Sequence, residues 1–159
     1  LEGVPKFRKF GSVTAYTEGW GLYTELLPKE IGAYADPYSD FGRLAMELWR
    51  ACRLVVDTGI HAKKWTRAQG IDYYASNTPN AQSDVIKMVE RHVVMPSQAT
   101  AYKIGMLKIL ELREKAKQAL GSKFDIREFH DVILSRGELP LNVLETMVDN
   151  YISENQTKA

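Results

Sequence analysis

The run WRACRLVVDTGIHAKKW, from Trp49 to Trp65, sets the strongest limit on what this chain can become. Leu48, Leu54, Val55, Val56 and Ile60 make it apolar on most sides. Arg50, Arg53, Asp57 and His61 step by three, four and four, so they share one face of a helix. Two readings fit such a stripe. In one it is a solvated ladder of i,i+4 ion pairs. In the other it is a polar seam inside the protein, because buried charge is costly unless it is paired or faces a wet cavity. Asp57 can reach Arg53 at i−4 and His61 at i+4, and a carboxylate that orients an imidazole is a common device in catalytic and metal sites.

The remaining pattern is helical throughout. Ser12 or Thr14 offers an N-cap for a helix running to Pro28, where it should kink or stop. Tyr16, Trp20, Tyr23 and Leu27 give that helix an apolar face. Gly19 and Gly21 each cost about 1 kcal/mol there against alanine, so something must pack or bind close to this backbone beside Glu18. Asp36-Pro37 is an N-cap followed by proline at the first helical position, opening a long helix to about Ala62. Gly59 and Thr58 weaken its last turns near His61. Thr66 with Gln69 forms a capping box before a short helix from Arg67 to about Ala75. SNTPNAQSD reads as a loop. Further helices are expected from about Gln82 to Met95, from Ser97 to Leu120, from Ile126 to about Ser135 and from Leu141 to about Glu154. Asp125 caps the third of these and Gly121 and Gly137 are natural stops. Leu1 to Gly11 is basic and irregular. No stretch alternates with the period of a strand. The expectation is one all-α domain over residues 1–159, an irregular bundle or array of about six or seven helices.

The chain has 159 residues, 45% of them hydrophobic and 26% charged, with a formal net charge of +1. That balance gives no electrostatic case for nucleic acid, and no apolar run is long enough for a membrane span. Cys52, the single cysteine, reads as core filling. There is no phosphate-binding glycine loop, no GxSxG elbow, no CxxC, and no HExxH among His61, His92 and His130. LEGVPKFRKFGS carries neither a signal pattern nor an initiator methionine, so the chain is expected to be a C-terminal piece of something longer.

Four blocks carry a resemblance: EGWGLYTELL; GRLAMELWRACRLVVDTGIHAKKWT; the segment around Arg91 with MPSQATAYKIG; and FDIREFHDVILSRGELPLNVLE. In order and spacing they resemble the C-terminal region of the bacterial domain-of-unknown-function family 885 (DUF885), whose members resemble zinc metallopeptidases of the gluzincin type. The resemblance covers nearly the whole chain. It implies that an HExxH-like segment lies upstream of Leu1 and that Glu18, on the following helix, is the third zinc ligand. It further implies that His61 and Tyr102 stabilise the oxyanion of a peptide substrate, with Asp57 orienting the His61 ring, that Arg53 binds substrate, and that Arg91 binds a substrate carboxylate or serves the structure. His92 stands where such proteins usually have tyrosine, and Ser97 where they usually have glycine.

The implied partners are a peptide substrate and the N-terminal part of the same protein. Faces left bare by that part would favour a homodimer, or a large apolar cleft lined by Glu18, Arg53, Asp57, His61 and Tyr102. By itself the chain is expected neither to hold zinc tightly nor to cleave peptides, since one carboxylate cannot complete a tetrahedral site. The competing reading is a non-catalytic helical interaction domain whose polar stripe is structural.

Overall fold

The computed structural model describes residues 3–157. Among these the chain is helical throughout, with no strand. Seven helices have nine residues or more: α2 (Thr14–Thr24), α4 (Pro37–Lys63), α5 (Arg67–Asn77), α6 (Gln82–Val94), α7 (Ala101–Leu120), α8 (Ile126–Leu134) and α9 (Leu141–Thr157). Two short ones, α1 (Lys6–Phe10) and α3 (Leu27–Glu30), complete the array. The all-α expectation therefore holds. No helix among the described residues is long and apolar enough to cross a membrane.

Local chemistry explains most of the boundaries. Asp36 Oδ1 accepts from the backbone N–H groups of Tyr38 and Ser39, and Pro37 occupies the first turn, so α4 starts where two orphan donors are satisfied. Thr66 and Gln69 form a reciprocal capping box at the start of α5. Asp125 caps α8 through Arg127 N–H.

Three boundaries differ from the expectation. α2 ends at Thr24, not at Pro28. The proline ring collides with the carbonyl four residues earlier, which is that of Thr24, so the ladder breaks there and Pro28 falls within α3. The segment Lys6–Phe10, expected to be irregular, forms a short helix. α7 begins at Ala101, because Ser97 sits in the left-handed region at φ 69° and a single 3₁₀ turn, Gln98–Thr100, intervenes.

Two apolar clusters share the interior. One, between α2, α7, α8 and α9, is built on Tyr16, Tyr23, Met106, Ile109, Leu112, Phe129, Ile133, Leu144 and Val148. The other, between α4, α5 and α6, holds Trp49, Cys52, Val56, Tyr74, Val85 and Val89. α2 lies against α7 so closely that a Cβ on Gly19 would fall 2.4 Å from Gly105 Cα, and one on Gly105 would fall 1.9 Å from the carbonyl oxygen of Ala15. Gly19 is thus accounted for by helix-on-helix contact, whereas Gly21 faces open space. Gly59, read from the sequence as a weak spot, is covered by the indole of Trp65, and α4 continues through it to Lys63. The 3₁₀ turn Gln98–Thr100 bridges the clusters, touching both α4 and α7.

Candidate functional site

The polar face of α4 does not lie in solvent. Arg53 is 7% exposed and Asp57 2% exposed. Only His61, at the far end of the stripe, is exposed. This removes the solvated-ladder reading for the middle of the helix. It also removes the expectation that Arg53 and Asp57 line an open apolar cleft.

Arg53 lies against the N-terminal end of α7. Its guanidinium stacks on the Tyr102 ring, 4.5 Å from the centroid, and Arg50 approaches the same ring at 5.8 Å. Arg53 Nη2 donates to Gln98 Oε1 at 2.9 Å. Arginine has only donors, so it fixes which end of the Gln98 amide faces it. The NH2 end then points the other way. Gln98 Nε2 donates to Glu18 Oε1 at 3.3 Å and makes a long contact of 3.5 Å with the Tyr102 hydroxyl. Glu18, Tyr102 and Arg53 are therefore gathered around one side chain that sequence reasoning did not single out. The available signal was its position in MPSQATAYKIG, one helical turn before Tyr102.

Asp57 serves a different neighbour from the one expected. Its Oδ1 accepts the backbone N–H of Ser97 at 3.1 Å, and its Oδ2 lies 3.8 Å from His92 Nδ1 with no hydrogen bond of its own. His92 is 1% exposed. Its Nε2 lies 2.7 Å from the Tyr74 hydroxyl. Burial raises the Tyr74 phenol far above its ordinary range. Burial first, then the electrostatic effect of Arg53, His61 and Arg91, pushes His92 down to about 4. Both rings are neutral at physiological pH. Tyr74 then donates to Nε2, which leaves the His92 proton on Nδ1, facing Asp57.

His61 stands apart from this group. Eight residues beyond Arg53, it is about 12 Å further along the helix axis. Its Nε2 lies 2.8 Å from the His92 carbonyl oxygen, so that nitrogen carries the proton and donates. Nδ1 is then an acceptor unless the ring is doubly protonated. The expected bond from Asp57 to His61 is replaced by these two separate attachments. Arg91 also lies elsewhere. It is exposed and lines a shallow groove of about 750 Å³ with Met46, Trp49, Met88 and Val94.

For zinc, Glu18 is the donor to consider. It is half-buried, with one oxygen held by Gln98 and, among the described residues, no hydrogen bond to the other, as a single ligand in a larger set requires. Among the described residues no group of three or more His, Cys, Asp or Glu side chains is placed to hold a metal. The carboxylate fits the part of one ligand, and the other ligands would have to come from outside this chain.

An all-α array with a glutamate, a glutamine, an arginine and a tyrosine gathered between its two clusters is the class of protein defined here. The family of bacterial proteins of unknown function described as DUF885 matches residues 1–148, and the chain belongs to it. The crystal structure described as "the putative lipoprotein from Colwellia psychrerythraea" is similar, with 52% sequence identity and a TM-score of 0.90 over 93% of this chain. The similar region is 26% of that protein, so this chain spans about a quarter of its length. No curated protein matches the chain.

Proposed function

We propose that this chain is the C-terminal, oxyanion-side part of a zinc-dependent peptidase, in which Glu18 is one of the zinc ligands and Tyr102 donates to the carbonyl oxygen of the substrate. The observation that carries the reading is the meeting of the Glu18 carboxylate and the Tyr102 hydroxyl at the Gln98 amide. Zinc, when bound, would supply Lewis acidity toward the peptide carbonyl and toward water. Glu18 contributes a carboxylate whose unheld oxygen is available as a ligand. Tyr102 contributes a phenol proton where negative charge would develop. Arg53 holds the Tyr102 ring and the Gln98 amide, acting on substrate through them. The assignment of His61 to the oxyanion side rests on the family resemblance alone, since its Nε2 serves the His92 carbonyl and its ring lies apart from Tyr102. Asp57 orients His92 and the Ser97 turn, so its influence on chemistry passes through the turn that carries Gln98.

The remaining ligands and the water-activating glutamate belong, on this reading, to the N-terminal part of a longer polypeptide. The exposed side chains Phe41, Leu44, Leu48 and Val55 on α4 are assigned to the contact with that part, and a homodimer would use the same stripe. A non-catalytic interaction domain is the second reading, favoured by the burial of Arg53 and Asp57. Peptide hydrolysis by the full-length protein, with and without a chelator, separates the two. We expect chelator-sensitive hydrolysis, and in Tyr102→Phe a fall in kcat of about 10²-fold with KM unchanged. Full-length protein that cleaves no peptide in the presence of zinc, or a Tyr102→Phe variant as active as wild type, sinks the peptidase reading.

A further inference from the structure

We infer that Gln98 is a positioning residue whose amide, fixed in one orientation by Arg53, keeps the Tyr102 proton free for the substrate and one Glu18 oxygen free for the metal. The inference rests on the peptidase reading and deepens it, giving Gln98 a stated role in that site.

The argument is one of donor and acceptor counting. An amide has two distinct ends, and either could face Glu18. Arg53 is buried, carries only donors, and has its Nη2 2.9 Å from Gln98 Oε1. Turning the amide over would set NH2 against guanidinium and leave a second buried arginine donor unpaired. Arg53 Nε already lacks a partner, so this position tolerates no further loss. The NH2 end is thereby committed to Glu18 Oε1 and to the Tyr102 oxygen.

Two consequences follow. The Tyr102 oxygen faces a donor, so it accepts there, and its own proton is directed to another acceptor. Among the described residues Glu18 is held through one oxygen, which fixes its rotamer without using the second. The turn bearing Gln98 is itself fixed: Ser97 takes φ 69° and donates its N–H to the buried Asp57. The geometry thus runs from the buried face of α4, through one glutamine, to the two groups assigned to chemistry.

Gln98→Glu tests this in the full-length protein: it keeps an acceptor toward Arg53, removes the donor, and sets a second carboxylate against Glu18. The new carboxylate still accepts from Arg53, which offsets its repulsion with Glu18, so the fold should be kept, as circular dichroism would check. It can no longer donate, and it takes the Tyr102 proton instead. The expected result is a loss in kcat of about 10²-fold with KM unchanged, and a comparable loss in affinity for a phosphinic dipeptide measured by calorimetry. Adding Tyr102→Phe to Gln98→Glu should cost little more, because both act on the same proton. A Gln98→Glu variant within threefold of wild type, or losses that multiply in the double variant, overturns the inference.

An arm independent of catalysis reads the apo protein. The side-chain NH2 resonances of Gln98 should lie apart from those of exposed glutamines, and should move toward them in Arg53→Met. Coincidence with exposed glutamines in the wild type overturns the fixed orientation. If hydrolysis is absent but the shifted resonances are present, the peptidase reading fails while the amide orientation stands.

Discussion

At the level of single residues, the site turns on which partner each buried polar atom finds. Asp57 shows this best. From spacing alone it could serve Arg53 or His61. The structure gives it Ser97 N–H and the edge of His92. Asp57→Asn can keep the bond from Ser97, but it then sets an NH2 group against the proton on His92 Nδ1. We expect a loss of about 1–3 kcal/mol in unfolding free energy, and a smaller loss for His61→Ala, whose ring is exposed. Equal stability of Asp57→Asn and wild type in denaturant melts would refute this placement. The His92 pKa, lowered to about 4, has a second consequence. The unfolded chain takes up a proton on this ring near pH 6.5, whereas the folded chain does so only near 4. Stability should therefore fall as pH drops between those values, by up to about 3 kcal/mol from this ring. His92→Gln should flatten that part of the curve. His130, also lowered by burial, adds a slope in the same direction that His92→Gln leaves in place. An unchanged slope in His92→Gln would contradict the assignment.

At the level of elements, caps and breakers were legible because they act locally. Asp36-Pro37, Thr66 with Gln69, and Asp125 each start a helix by satisfying nearby N–H groups, and each can be read from a few residues. The stripe of α4 was legible as a polar face, but its environment was not, since burial depends on what α6 and α7 bring to it. Glu18, Arg53 and Tyr102 could be picked out singly. Gln98 and Tyr74 were not, and His92 was noted without its burial, because their importance comes from partners 18 to 80 positions away in sequence. Gly19 was flagged, but its counterpart Gly105 was not. Their contact is a property of two helices together. Gly105→Ala should cost about 2 kcal/mol or more, because its Cβ would meet backbone that cannot step aside. A variant as stable as wild type in urea would show that α2 and α7 can separate at small cost. Such separation would also displace Glu18 from Gln98.

At the level of the whole molecule, two apolar clusters and the turn between them hold a glutamate, an amide and a phenol together. One carboxylate cannot complete a zinc site, so the proposed chemistry would need a longer polypeptide, to which this chain would contribute one ligand and the oxyanion side. The most direct test is the zinc content of that full-length protein after dialysis against a weak chelator, for wild type and Glu18→Gln, with folding checked by circular dichroism. One zinc per wild-type chain, and a folded Glu18→Gln protein that loses it with at least tenfold weaker affinity, is the predicted result. Zinc held equally by both, or by neither, would contradict the account.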